Sequence, residues 1–288
     1  MQKLVNTLKA IEGTKIMVVG DLMLDAFIYG DVDRISPESP VPVLAIRRED
    51  KMLGGAGNVL TNLNALGAKP VVFAVVGDDD NASTVLALMK DMGVATDGIF
   101  KDTSRPTTLK TRYLAKHQHL LRTDFEKTHP LSSALEKAVL DAIEKSIKDV
   151  KAIVLSDYGK GVLGKSLLEK IIGAAKAAKI PVLVDPKGAD YSLYRGADYV
   201  TPNRKELGEA TGALYLKTDS EITEAADTLI KQSGIGAVVA TRSEDGMSVI
   251  GKGEPLHLRT QAREVFDVSG AGDTVIATLA ACLAAGAP

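Results

Sequence analysis

The sequence predicts an open, mostly parallel α/β sheet with helices on both faces and a small second sheet standing off it. Three observations carry that expectation. Short, near-continuous apolar runs recur at 15–19, 71–76, 152–155, 182–184, 199–201 and 237–241, the pattern of strands buried on both faces. Helical patterns at 55–66, 81–92, 131–147, 165–178 and 221–231 fall between them, and strands alternating with helices build parallel sheets. Two stretches, 27–48 and 107–125, instead alternate polar and apolar residues, as strands with one solvated face do.

Each element has a local reason. The first strand is Lys15-Ile16-Met17-Val18-Val19, apolar throughout after its first residue. The first amphipathic stretch follows it, passing through Ile35-Ser36-Pro37-Glu38-Ser39-Pro40 to Val41-Pro42-Val43-Leu44-Ala45-Ile46. The second contains Thr108-Leu109-Lys110-Thr111-Arg112-Tyr113. Together they predict a lid-like sheet, whose apolar face has no core of its own and calls for a second copy of the chain. The rest is strand, polar or glycine turn, and helix, repeated. No fixed-period repeat or low-complexity tract interrupts it.

Composition bounds the function. The chain has 288 residues, 45% hydrophobic and 25% charged, which are globular values and exclude disordered, collagen-like and coiled-coil classes. Lys and Arg total 35 against 37 Asp and Glu, a net charge of −2. Such a chain has no global positive field to attract nucleic acid or an anionic membrane. Cys282 is the only cysteine, so no internal disulfide forms, and the expected setting is reducing and cytoplasmic. The early apolar run 16–19 is too short for a leader or a membrane span. The expectation is a soluble protein without nucleic-acid or membrane partners.

Two glycine-rich segments compete for a phosphate. Gly159-Lys160-Gly161-Val162-Leu163-Gly164-Lys165-Ser166 spells both a P-loop and a dinucleotide fingerprint, with Asp185 ending the next strand. Accepted literally, it would make the chain a nicotinamide-dependent dehydrogenase. Both motifs need the strand to run straight into the glycines, whereas Ser156-Asp157-Tyr158 intervenes, and a turn before a helix is preferred. The second segment, Asp267-Val268-Ser269-Gly270-Ala271-Gly272-Asp273-Thr274, precedes a strong helix former. Amides at a helix start, with small residues allowing close approach, form an anion cradle. Asp273 inside it reads two ways: as a base taking the proton of a hydroxyl that attacks a phosphoryl group, or as a cap of its helix.

These residues carry a resemblance. Gly54-Gly55-Ala56-Gly57-Asn58 and the segment from Asp267 to Asp273 resemble, in order and separation, the two signatures of the ribokinase-like (PfkB) carbohydrate kinases. Asp25, in Gly20-Asp21-Leu22-Met23-Leu24-Asp25, resembles that family's sugar-binding aspartate. Four segments narrow it: Arg34-Ile35-Ser36-Pro37-Glu38-Ser39-Pro40-Val41-Pro42-Val43, Ser156-Asp157-Tyr158-Gly159-Lys160-Gly161, Asp185-Pro186-Lys187-Gly188 and Thr201-Pro202-Asn203. They look like the kinase domain that phosphorylates D-glycero-D-manno-heptose 7-phosphate at the anomeric oxygen, serving ADP-heptose and lipopolysaccharide synthesis.

The resemblance implies ATP and Mg2+, and it assigns roles. Asp273 becomes the base, and Gly270, Ala271 and Gly272 the anion hole. Asn203 and Glu206, in Asn203-Arg204-Lys205-Glu206, match an N-x-x-E element that organises magnesium and phosphates, with Glu206 on the metal side. That spelling equally predicts a helix capping box. Thr241, Arg242 and Gly246 line the nucleotide site, while Asp25, Gly54, Gly55 and Asn58 face the sugar. A substrate phosphorylated at its far end needs cations there, and Lys160 and Lys187 are the first candidates among Arg112, Lys116, Arg122, Lys160 and Lys187. Relatives continue past residue 288 through further helices, and the bifunctional ones through an adenylyltransferase domain. The expectation is therefore one kinase domain over 1–288, truncated at its C-terminus, with lid segments at about 27–48 and 107–125. A different sugar substrate, or a sugar-phosphate binding module without catalysis, remains an alternative.

Overall fold

A computed structural model describes residues 2–116, 118–213, 215–261 and 270–287. The chain begins α1 (Gln2–Ile11), β1 (Lys15–Gly20), β2 (Leu22–Ile35), β3 (Pro42–Gly55), α2 (Ala56–Ala65), β4 (Lys69–Val76) and α3 (Asp80–Asp91). It continues β5 (Ile99–Lys101), β6 (Thr108–Ala115), β7 (Gln118–Phe125), α4 (Ser133–Ser146), β8 (Ala152–Ser156), α5 (Lys165–Ala178) and β9 (Val182–Asp185). The last elements are β10 (Tyr199–Val200), α6 (Arg204–Thr211), α7 (Asp219–Ser233), β11 (Ala237–Thr241), β12 (Met247–Ile250), β13 (Leu256–Leu258) and α8 (Ala271–Ala284).

Among the described residues the main sheet has the order β13-β12-β11-β10-β9-β8-β1-β4-β5. It is parallel from β11 to β5, and the pairings of β12 with β11 and with β13 at one edge are antiparallel. Side chains alternate along each strand, so each face of the sheet builds its own core. From β1, Met17 and Val19 join the layer under α4, α5 and α7 with Val139, Ile171 and Leu229. Ile16 and Val18 join the other layer with Leu60 of α2, Val85 of α3 and Ile276 of α8. Fully burying one such side chain is worth about 1.5–3 kcal/mol. The six apolar runs are therefore continuous because both faces are covered.

The two amphipathic stretches form a separate four-stranded sheet of order β3-β2-β6-β7. Its strands exceed the first expected segment, 27–48, at both ends and fall within the second, 107–125. The first pair spans Leu22 to Gly55, because Leu22, Met23 and Leu24 stay buried where the hairpin leaves the core. Every residue of β7 is exposed in the single chain, as are Ile35, Val41 and Ile46.

The chain order turns about β1, with β4 on one side and β8 on the other. In open α/β sheets ligands bind beyond the carboxyl ends of the strands at such a switch point. Here those ends are Gly20, Ser156, Asp185 and Thr241. Helix α8 packs its Ile276, Ala277, Ala280 and Ala281 in the same core layer as Val59, Leu60 and Leu63 of α2, which sets its first turn over that point.

Candidate active site

Asp21 follows β1 and is buried. Its Oδ2 accepts the backbone N–H groups of Tyr158 at 2.8 Å and Lys160 at 3.0 Å, and its Oδ1 that of Val162 at 3.3 Å. Burial pushes this carboxyl up and the amide donors pull it down. The glycine segment after β8 thus already holds an anion, supplied by the chain itself, and its amides are not open to a nucleotide. This removes the P-loop and dinucleotide readings, and with them the dehydrogenase. The segment is a loop ahead of α5, as the intervening Ser156-Asp157-Tyr158 requires.

The start of α8 is built differently. Its N-cap, Gly270, has φ 77° and brings no side chain to cap the helix, and the first-turn amides lack intrahelical partners, as at any helix start. A Cβ at Gly270 would overlap the Asn58 amide nitrogen. Asp273 sits in this first turn, buried, and does not cap it. Its Oδ2 accepts from Asn58 Nδ2 at 2.8 Å and its Oδ1 from the Tyr158 hydroxyl at 2.9 Å. Burial raises the Asp273 carboxyl above the ordinary aspartate value, the two hydrogen bonds lower it, and the charge of Asp25 raises it. Asn58, expected to face the sugar, is thus a partner of Asp273, itself braced by Asn62, whose Oδ1 accepts from Thr274 at 3.0 Å. Asp267, Val268 and Ser269 lie outside the described residues.

On the lid side, Asp25 Oδ1 accepts from Arg112 at 2.6 Å, and that guanidinium lies over the Phe27 ring at 5.1 Å. Gly54, paired with Met23 next along β2, has to be glycine because a Cβ would overlap the Asp25 carboxylate. Gly55 follows it into α2. Lys160 Nζ binds Glu126 Oε1 at 2.6 Å, and Lys110 stands 3.6 Å from the other oxygen of Glu126.

On the other side of α8 opens a cleft of about 1550 Å³, lined by Asp185, Lys187, Asn203, Glu206, Thr241, Gly246, Ala271 and Gly272, among others. Asn203 and Glu206 do form the capping box: Asn203 Oδ1 accepts the Glu206 N–H at 2.9 Å, and Glu206 Oε2 accepts the Asn203 N–H at 3.0 Å. Glu206 Oε1 is left over, 3.7 Å from Lys187 Nζ. Lys187 therefore belongs with the Asn203–Glu206 wall. Arg204 donates to the Arg242 carbonyl at 2.7 Å and also binds Asp245. Lys205 lines the cleft with its ammonium 3.6 Å from Glu209. Thr241 and Gly246 line the cleft as expected, but the Arg242 side chain does not. It is buried, bonded to Asp219 at 2.6 Å and Ser248 at 3.0 Å, because successive side chains point to opposite sides of extended backbone.

Asp185, which follows the glycine segment in both the P-loop and the dinucleotide spelling and opens the heptose-kinase-like segment Asp185–Gly188, is a carboxylate of this cleft. Burial and the charges of Asp273 and Glu206 push it well above the usual range. Among the described residues its carboxylate accepts no hydrogen bond, and no group of three or more His, Cys, Asp or Glu could hold a metal ion. Two carboxylates lining one cleft, Asp185 and Glu206, do suit Mg2+, which keeps its waters and takes one or two protein carboxylates plus phosphate oxygens.

A cleft at the strand ends, a helix start at Gly270 and a buried carboxylate beside it stand together here. The model of the pfkB family carbohydrate kinases matches residues 13–288, and the chain belongs to that family. Among its relatives it is 51% identical over 288 residues to the bifunctional protein HldE of Paramagnetospirillum magneticum, covering all of this chain and 59% of that protein. It is 48% identical over 275 residues to the bifunctional protein HldE of Rhodospirillum rubrum, covering 95% of this chain and 55% of that one. The chain thus spans a little over half the length of these relatives. By structure it is similar to Arabidopsis thaliana ribokinase complexed with ribose and ATP, with a TM-score of 0.73, 19% identity, and coverage of 96% of this chain and 88% of that one. It is also similar to Escherichia coli phosphofructokinase-2, with a TM-score of 0.75, 18% identity and coverage of 96% and 87%. The fold is therefore ribokinase-like, as the sequence predicts. No described helix is long and apolar enough to cross a membrane.

Proposed function

We propose that this chain transfers the terminal phosphoryl group of ATP to the anomeric hydroxyl of D-glycero-D-manno-heptose 7-phosphate, giving the 1,7-bisphosphate. The observation that carries the reading is Asp273: a buried carboxylate in the first turn of α8, between the lid side and the cleft, held by Asn58 and Tyr158. As the sugar oxygen bonds to phosphorus, its proton passes to Asp273 and the bond from phosphorus to the departing ADP oxygen breaks. The amides of Gly270, Ala271 and Gly272 face the charge that gathers on the transferred group. Asp25, kept in place by Arg112 and given room by Gly54, binds sugar hydroxyls. Asn203 and the free oxygen of Glu206, with Asp185, orient the phosphates in the cleft; these carboxylates would hold Mg2+, which supplies charge neutralisation when bound.

The heptose assignment is supported by the segments that narrow the resemblance. Asp157–Tyr158, Asp185–Lys187, Thr201 and Asn203 all stand around the cleft. Its product would supply ADP-heptose synthesis in the cytoplasm, with an adenylyltransferase domain accounting for the remaining length of the bifunctional relatives. A second copy of the chain covers the exposed lid face at Ile46, Leu121 and Phe125; a monomer at high micromolar concentration by light scattering contradicts that.

ADP release measured across heptose 7-phosphate, fructose 6-phosphate, ribose and adenosine tests the reading. The expected result is the highest kcat/KM with heptose 7-phosphate. Preference for another acceptor overturns the substrate. Sugar-phosphate binding without ADP release from any of the four leaves a binding module.

A further inference from the structure

Tyr158 is held at both ends. Its backbone N–H donates to Asp21 Oδ2 at 2.8 Å, and its hydroxyl donates to Asp273 Oδ1 at 2.9 Å. The loop that carries it is pinned to the end of β1 by two further amides, those of Lys160 and Val162. The hydroxyl is therefore presented from a fixed backbone. Asn58 takes the other oxygen of Asp273, so among the described residues each carboxylate oxygen has one protein donor and keeps a lone pair for the incoming hydroxyl.

We propose that Tyr158 is a positioning residue for phosphoryl transfer: its hydroxyl holds Asp273 in the orientation and the ionised form that accept the sugar proton. This rests on Asp273 being the base. The groups that face the pair are Asp25 from β2, itself bound to Arg112 of β6, then Asn58 from α2 and Asp185 from β9, whose charge Lys187 opposes. The carboxylates among them favour the protonated form of Asp273; Asn58 and Tyr158 favour the ionised form. Burial and the same acidic neighbours keep the Tyr158 hydroxyl protonated far above its ordinary range, so it acts as a donor at every working pH. The hydroxyl also ties the acid-anchored loop to the helix start, two segments 115 residues apart.

The test is the pH profile of kcat/KM for heptose 7-phosphate in the whole natural chain, compared among wild type, Tyr158→Phe and 3-fluorotyrosine at position 158. Losing the donor should move the acid limb up by about one pH unit, because a hydrogen bond to an ionised group favours that form. Turnover on the plateau should fall roughly three- to tenfold as orientation loosens. The fluorinated ring is a stronger donor of the same shape and should move the limb the opposite way. It keeps the test valid even where the Phe chain folds poorly. Limbs that stay at the wild-type pH in both variants overturn the proposal. Asp273→Asn runs alongside: if it retains turnover, the base assignment has failed and this inference with it. If it is inactive while the limbs stay put, only the role of Tyr158 is lost.

Discussion

Two glycine-rich segments meet at the end of β1, and they do opposite things with their backbone amides. The loop after β8 turns three of them, those of Tyr158, Lys160 and Val162, inward on the buried Asp21. At the start of α8 the N-cap Gly270 has no side chain to take the amides, and the first-turn aspartate is bonded to Asn58 and Tyr158. Spelling favoured the first as a phosphate loop. What decides is whether an internal acceptor already occupies the amides, and that acceptor stands 137 to 141 residues away. The two buried aspartates differ in the same sense. Asp21 accepts backbone donors and shapes a loop, whereas Asp273 accepts two side-chain donors and keeps lone pairs for a substrate.

Breaking the loop should have the largest effect. Asp21→Ala leaves three amides without their acceptor, at about 1–3 kcal/mol each, partly offset by relief of a buried charge. A net loss of about 3 kcal/mol should lower the melting temperature by roughly 6–12 °C and reduce turnover as Tyr158 drifts. A calorimetric melt unchanged from wild type would mean that Asp21 does not organise the loop.

A smaller, more selective effect is expected at the helix start. A Cβ on Gly272 meets nothing within 4 Å, and alanine favours helix by roughly 0.5–1 kcal/mol. Gly272→Ala should therefore keep or raise the melting temperature, yet raise KM for ATP about tenfold by crowding the phosphate, a cost of roughly 1.4 kcal/mol. An unchanged KM would move the anion away from α8.

The smallest effect sharpens the contrast most. A P-loop reading makes Lys165 indispensable. Here it opens α5 with an exposed side chain, 4.0 Å from Glu169, a surface pair worth about 0–1 kcal/mol. Lys165→Ala should change kcat and both KM values less than about twofold, within what such a pair is worth. A hundredfold loss would restore the P-loop.

The legible part of the molecule is the part that repeats a local pattern. The six buried strands announce themselves because both faces are apolar, and the lid because only one is. The short strands β5, β12 and β13 give too few residues for a period, and α6 buries only Leu207 and Gly208, so its polar sequence reads as a turn. Asp273 was legible from small residues ahead of a helix, but its partners were not. Tyr158 carries no local sign, since its hydroxyl meets Asp273 115 residues along the chain. Arg242 misleads for the converse reason: it follows Thr241 into the strand end, and its side chain turns under the sheet to Asp219 and Ser248.

The central claim is that Asp273 accepts the proton. Asp273→Asn keeps the shape and can still accept from Asn58 or Tyr158 at its amide oxygen, but it cannot take a proton from the sugar. General-base catalysis contributes about 10²–10⁴-fold. Single-turnover phosphoryl transfer in the whole natural chain should therefore fall at least about a hundredfold, with ATP and sugar-phosphate affinities and melting temperature nearly preserved. In the wild type the same rate should rise with pH through a limb above the ordinary aspartate value of about 3.9, since burial raises Asp273 and only its ionised form is the base. A near-wild-type rate in the Asn variant would contradict the account.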